Sequence, residues 1–431
     1  MIEKLFKLKA HNTTIKTEIV AGISTFLTMS YVILINPSIL SLTGMDHGAV
    51  FVATCLAAAF ASAFMGLFAN YPIALAPGMG LAVYFTYSVV LGSGYSWQVA
   101  LGAVFISGLI FFALSLLPIR KYIIDCIPKS LKVAMVAGIG LFLGIIGFKS
   151  AGIITGNTAT LVTLGNIHQS STLLAILGFF LIVGLEALGI IGAIIISILG
   201  ITVISILMGL TKLQGVFSLP PSLMPTFLQM DIKGAFSLGL FTIVFAFLFV
   251  DLFDNTGTLI GIATRAGLMN KQGKLMRVNR VLIADSTAVI IGAILGTSTT
   301  TSYLESAVGV KAGGRTGLTA VVVALLFLLA LFFSPLASTI PIYATAPALI
   351  YIACLMARAF TEFEWEDLTE YVPGVITALA MPLTFSIAEG ISFGFISYTA
   401  IKLISGRFRD LNIATVVLTL CFVAKAIFLN H

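Results

Sequence analysis

The stretch GTSTTTSYLESAVG, residues 296–309, sets a run of small hydroxylic and β-branched residues, ending at Glu305, into a chain that is otherwise oil-soluble. A second stretch, ALAPGMGLAVYF at 74–85, carries Pro77, Gly78 and Gly80 in the middle of another apolar run. Threonine favours extended backbone, proline removes a donor and glycine is conformationally permissive. Neither stretch sustains an ordinary helix. Unwound backbone at membrane depth is tolerated only inside protein or beside a water-filled cavity. Two such interruptions in corresponding halves of a chain are a sequence pointer to a transport site.

The surroundings define the solvent. Of 431 residues, 59% are hydrophobic and 9% are charged, against about 25% charged in a soluble domain. Mean hydropathy is +1.12. Apolar runs near the roughly 20 residues that span a bilayer recur throughout, and in hydrocarbon such runs become helices because every backbone polar group needs an internal partner. A β-barrel would instead show alternating segments of about ten residues. The first run continues as a full span, not a cleavable signal. The four cysteines (Cys55, Cys126, Cys354, Cys421) form no CxxC and read as packing residues; no metal site or cofactor is expected.

Spans are read near 19–36, 49–69, 72–91, 98–117, 132–149, 172–185, 188–209, 237–261, 281–296, 299–312, 316–334, 342–359, 371–386 and 387–404. With the N-terminus inside, the basic clusters fall on the cytoplasmic side, as the positive-inside rule requires. These clusters are Lys4, Lys7, Lys9 and Lys16; Arg120, Lys121, Lys129 and Lys132; Arg265, Lys271, Lys274, Arg277 and Arg280; Lys311 and Arg315; and Lys402, Arg407 and Arg409. The net charge of +6 therefore sets orientation and is no nucleic-acid signature. The longer loops 150–171 and 210–236 fall outside. The apolar run 413–429 is either an extra span or a segment along the inner surface; Lys425, which interrupts it, favours the surface. The break at Gly78 lies in the third span, and that at Ser302 in the third span counted from 237.

In FVDLFDNTGTLIG, residues 249–261, Asp251 and Asp254 stand three apart on one helix face. An ionised group at the bilayer centre costs about 2.5–3.5 kcal/mol. Asp251, Asp254 and Glu305 are thus expected to face the interior and to converge near mid-membrane, where burial and like charge favour a shared proton. Such a cluster suits a cation, a proton or a neutral solute rich in N–H groups. The alternative is that the acids accept hydrogen bonds from Thr and Tyr and serve packing. Phe26 and Tyr303 are the aromatic residues expected to stack on a flat heterocycle. His11, His47, His168 and His431 fall in loops or tails; Glu186 and Glu389 read as interfacial. Glu362, Glu364, Glu366, Asp367 and Glu370 read as a solvated inner loop.

At GISTFLTMSYVILINP (22–37), ALAPGMGL (74–81), FVDLFDNTGTLIG (249–261), GTSTTTSYLESAVGVKAGGRTGLTA (296–320) and MPLTFSIAEGI (381–391), the chain resembles the AzgA-like purine permeases, within the nucleobase–cation symporters that include uracil and xanthine permeases. The resemblance covers nearly the whole chain. It implies an all-α polytopic membrane protein of about 14 transmembrane segments in two inverted repeats of seven, with short strands in segments 3 and 10. A core domain (1–125 and 237–335) would carry substrate against a gate domain (126–236 and 336–431), through which a homodimer is expected. It implies proton-coupled import of adenine, guanine or hypoxanthine across the plasma (inner) membrane. Asp251 and Asp254 match the acids of the eighth segment, and Glu305 matches the tenth-segment glutamate that contacts the base. One position departs: where the pattern after PGMGL has an asparagine, this chain has Ala82, which removes a substrate contact. Substrate contacts are thus expected from Glu305, Asp251, Thr25, Phe26, Gly80, Ala82, Ser302 and Tyr303, and proton coupling from Asp254, Asp251 and Glu305.

Two other readings are weighed. The fold could carry xanthine or uracil, or couple to sodium; an inorganic anion fits poorly with clustered carboxylates. An intramembrane aspartyl hydrolase needs two aspartates on facing helices, whereas these share one helix.

Overall fold

The computed structural model describes residues 2–116, 128–236, 241–269 and 275–428. Arg120, Lys121, Cys126, Lys271, Lys274 and His431 lie outside the described residues, as do the side chains of Lys4, Asp254 and Lys425.

Among the described residues, nine helices are long and apolar enough to cross a membrane, and shorter apolar helices accompany them. The elements that build the centre are α1 (Ile15–Met29), α2 (Val32–Leu40), α3 (His47–Phe64), β1 (Leu75–Pro77) and α4 (Met79–Val83). From the second half come α5 (Phe241–Ala266), α6 (Val278–Leu295), β2 (Thr300–Ser302), α7 (Ser306–Lys311) and α8 (Gly317–Ala330). The helix Lys129–Ser150 packs beside them, against Ile342–Ala357 and Leu368–Thr384.

Both sequence breaks are present. The strands β1 and β2 pair antiparallel, with Leu75 opposite Ser302, Ala76 opposite Thr301 and Pro77 opposite Thr300. Gly78 N donates to Thr299 O at 2.9 Å and Tyr303 N to Ala74 O at 3.0 Å, which extends the ladder at both ends. Buried backbone left over by so short a ladder needs side-chain partners. Ser62 Oγ donates to Leu75 O and accepts from Leu75 N, and Ser306 Oγ accepts from Ala74 N. Gly78 adjoins the pairing closely: a Cβ there would lie 2.6 Å from Thr301 Cγ2.

Two features add to the sequence reading. Within the first span, which runs Ile15–Thr43, a turn at Ser30 and Tyr31 separates α1 from α2, and Tyr31 at that turn donates to Glu305. The loop 150–171 contains a hairpin, Ile154–Asn157 paired with Leu161–Leu164, where Leu161 takes a left-handed φ of 66°. The apolar run near the C-terminus is a helix, Ile413–Phe428, docked through Phe422 on Phe245 and Phe395 and through Thr419 on Thr399.

The first and eleventh predicted spans are locked by an acid that the motif reading passed over. Glu18 is fully buried. Its carboxylate accepts from the amides of Arg315, Thr316 and Thr319 and from the Thr319 hydroxyl, meeting the orphan N–H groups at the start of α8. The acidic stretch 362–370 is not a solvated face throughout. Glu370 is not simply solvated: it pairs with Lys402 at 2.7 Å and accepts from Ser130 and Tyr398. Lys402, counted among the cytoplasmic cations, has a side chain only 1% exposed and also bonds Asp410. A buried cation needs such partners.

Candidate functional site

The candidate site is built around the strand pair. The segment Thr297–Ser302 is buried along its whole length, although all six side chains carry hydroxyls. Thr297 Oγ1 accepts from Asn36 Nδ2 at 2.9 Å, and Asn36 Nδ2 also reaches Thr54 at 2.7 Å. The hydroxyls of Ser298, Thr299 and Thr300 have no hydrogen-bond partner among the described residues. Hydroxyls so buried are normally paired, so this segment holds more donor and acceptor capacity than the fold consumes.

Asn255 is the residue that ties helix to strand. Its Oδ1 accepts from the Ser302 amide at 2.7 Å and the Thr301 hydroxyl at 2.8 Å, while its Nδ2 donates to Asp251 Oδ1 at 2.7 Å. Asp251 and Asn255 are four apart on α5, hence on one face, and both are buried. Asp251 therefore sits one side chain away from the strand, with its charge met by an amide.

Glu305 stands at the start of α7, half-buried. Its Oε1 accepts from the Tyr31 hydroxyl at 2.6 Å. Asp251 is thus tied to β2 through Asn255, while Glu305, three residues past β2, is held by Tyr31. The side chain of Asp254, the third acid of the expected cluster, lies outside the described residues. A different acid is present: Asp285 on α6 is fully buried and accepts from Ser302 Oγ at 3.4 Å. It was missed because VLIADSTAVI carries a single acid and no break; the signal available was an isolated aspartate within an apolar span.

The other expected contacts have distinct surroundings. Tyr303 is buried, donates to Pro77 O at 2.6 Å and presents its ring to that of Tyr31, with centroids 6.4 Å apart. Phe26 packs edge-on against Phe327 at 5.2 Å. Thr25 is fully buried against α7, where a Cβ on Gly309 would come within 2.1 Å of its Oγ1. Gly80 faces the helix Lys129–Ser150, and a Cβ there would lie 2.6 Å from Ile139 Cγ2. Ala82, on α4, is fully buried. Among the described residues no group of three His, Cys, Asp or Glu side chains is placed to hold a metal ion.

Half-helices that meet at a pair of short strands inside a helical membrane protein define a class, the polytopic transporters of this architecture. The transmembrane domain of the cyanobacterial bicarbonate transporter BicA superposes with a TM-score of 0.64 at 16% identity, covering 88% of this chain and 97% of that one. SLC26A9 superposes with a TM-score of 0.66 at 13% identity, covering 94% and 68%. At such identities the likeness establishes the fold. The chain belongs to the permease family Xan_ur_permease, whose model matches residues 16–393. The adenine permease AdeP of Escherichia coli (strain K12) is 48% identical over 100% of this chain and 97% of its own. The guanine/hypoxanthine permease PbuG of Bacillus subtilis (strain 168) is 45% identical over the full length of both.

Proposed function

We propose that this protein is a proton-coupled importer of purine nucleobases (adenine, guanine or hypoxanthine) in the plasma membrane, with a cytoplasmic N-terminus. The observation that carries the reading is the junction itself: Asn255 ties Asp251 to the buried strand β2, and Glu305, three residues beyond that strand, accepts from Tyr31. Relatives that transport adenine or guanine and hypoxanthine are similar over the whole chain.

A purine presents N–H donors, ring-nitrogen acceptors and a flat apolar face. Glu305 accepts from a purine N–H. The amides that open α4 are unpaired by helix geometry and serve ring acceptors, as broken helices do in other transporters. Tyr303 and Phe26 bound the ring faces, and Gly80 and Ala82 leave room beside α4. Thr25 and Ser302 set the positions of α7 and β2, which carry these groups. Asp251, Asp254 and Glu305 carry the coupling proton among them.

The movement is of elevator type. Fourteen segments form two inverted repeats, and the core (1–125 and 237–335) slides against the gate (126–236 and 336–431), by which two copies pair. The contact of Gly80 with Ile139 falls on that sliding surface, where a small residue lets the two parts pass.

The test is uptake of radiolabelled adenine, guanine and hypoxanthine into proteoliposomes, under an imposed pH gradient or an imposed sodium gradient. Saturable purine uptake driven by the pH gradient supports the reading. Uptake driven by sodium alone overturns the coupling assignment, and displacement only by xanthine or uracil overturns the choice of base.

A further inference from the structure

On α3 and the turn that follows it, Phe60, Phe64 and Phe68 stand four residues apart and stack as a column, with centroid spacings of 5.7 and 5.1 Å. Phe60 and Phe68 are 39% and 36% exposed, and Leu67 beside them 51%. The column faces outward from the bundle and ends at a guanidinium, for Arg280 Cζ lies 5.8 Å from the centre of the Phe68 ring. Arg277, the residue just before α6, lies over the Tyr71 ring at 5.6 Å, with one amino group donating to Asn70 O at 3.4 Å. Its Nε is buried with no hydrogen-bond partner among the described residues.

Among the described residues no ion pair includes Arg277 or Arg280. Burial first, and then the neighbouring Arg280, act to hold the Arg277 guanidinium below its ordinary value. The N-terminal segment adds Lys7, whose charge acts on His11 in the same sense as that of Arg277. The nearby acid, Glu18, is already engaged by three amides and a hydroxyl. Two adjacent guanidinium groups held by aromatic rings form a fork for a phosphate. They sit where the basic loops gather, the side that faces the anionic leaflet.

We propose that Arg277 and Arg280 bind the phosphate of an anionic phospholipid, whose acyl chain lies along the Phe60–Phe64–Phe68 column. The two parts of the site match the two parts of one molecule: cations with no ion-pair partner among the described residues, and an exposed apolar face that continues from them. The occupant fastens the turn between α3 and β1 to the start of α6, and hence both ends of the strand pair's supports.

Native mass spectrometry of the full chain, released from detergent doped with phosphatidylglycerol or phosphatidylcholine, reads this site without any need for transport. Preferential retention of phosphatidylglycerol is expected. Arg280→Gln, at an exposed position, is expected to cut that retention about fivefold, the equivalent of ~1 kcal/mol for one basic residue at an anionic surface. Arg277→Gln with Arg280→Gln is expected to abolish the preference, and Phe64→Ala with Phe68→Ala to weaken retention of both lipids. Equal retention of the two lipids by the native chain, or an unchanged preference in Arg280→Gln, would overturn the proposal. Binding of inorganic phosphate as tightly as the lipid would overturn the part played by the aromatic column.

Discussion

Asn255 and Ser302 are 47 residues apart in sequence and joined by a 2.7 Å hydrogen bond from the Ser302 amide to the Asn255 side-chain oxygen. Through that bond the helix that carries Asp251 is fastened to the strand that leads to Glu305.

Replacing Asn255 by alanine removes one hydrogen bond from the Asp251 carboxylate and the one from the Ser302 amide. Removing a partner from a buried polar group costs about 1–3 kcal/mol. A lower midpoint of thermal unfolding and loss of purine uptake are expected. Native uptake by Asn255→Ala would remove this residue from the site.

Tyr31→Phe deletes the hydroxyl that donates to Glu305 while keeping the ring. A hydrogen bond to a charged group is worth about 1.5–3 kcal/mol, so the apparent KM for purine should rise by roughly tenfold or more with expression unchanged. An unaltered KM would mean that this bond does not position Glu305 for substrate.

Ala82 is fully buried on α4. Asparagine there restores an amide beside the proposed base. Ala82→Asn is expected to tighten binding in an equilibrium assay with the purified protein, and unchanged affinity would show that other contacts suffice.

Gly317 meets Gly66 so closely that a Cβ on it would lie 1.9 Å from the Gly66 carbonyl oxygen. Backbone cannot yield as a flexible side chain can, and overpacking costs about 1–3 kcal/mol or more. Gly317→Ala should separate α8 from the end of α3 and reduce the yield of monodisperse protein. Native yield and melting would contradict the packing argument.

Asp367 precedes the helix Leu368–Thr384 and accepts from Thr369; Arg407 also donates to it. The Thr369 hydroxyl, followed by Arg407, lowers its carboxyl to about 2. A carboxyl depressed in the folded state stabilises it above the ordinary aspartate value, and that stabilisation is lost as pH falls toward 2. Melting scans in detergent should show this loss, and Asp367→Asn should flatten it. An identical acid profile for the variant would contradict the assignment.

The breaks at Pro77–Gly80 and Thr297–Ser302 were legible because proline, glycine and clustered threonines contradict the helix that their hydropathy demands. Asp251 and Glu305 were legible because an acid in an apolar run is costly. What joins them was not. Asn255 and Tyr31 are uncharged, and their function lies in whom they face across the fold, which spacing along one helix does not encode. Asp285 and Glu18 were readable as acids, but each stands alone in its segment without a second unusual feature. The pairing of Glu370 with Lys402 was hidden because Glu370 falls in a stretch that reads as a charged loop and Lys402, near the end of a span, reads as one of a basic cluster.

The most direct test is uptake of radiolabelled adenine and hypoxanthine by proteoliposomes holding either the native chain or Glu305→Gln, at equal protein content and under the same inward proton gradient. The account predicts saturable uptake by the native chain and its near-complete loss in the variant, with both proteins melting alike. Native-level uptake by Glu305→Gln would contradict it.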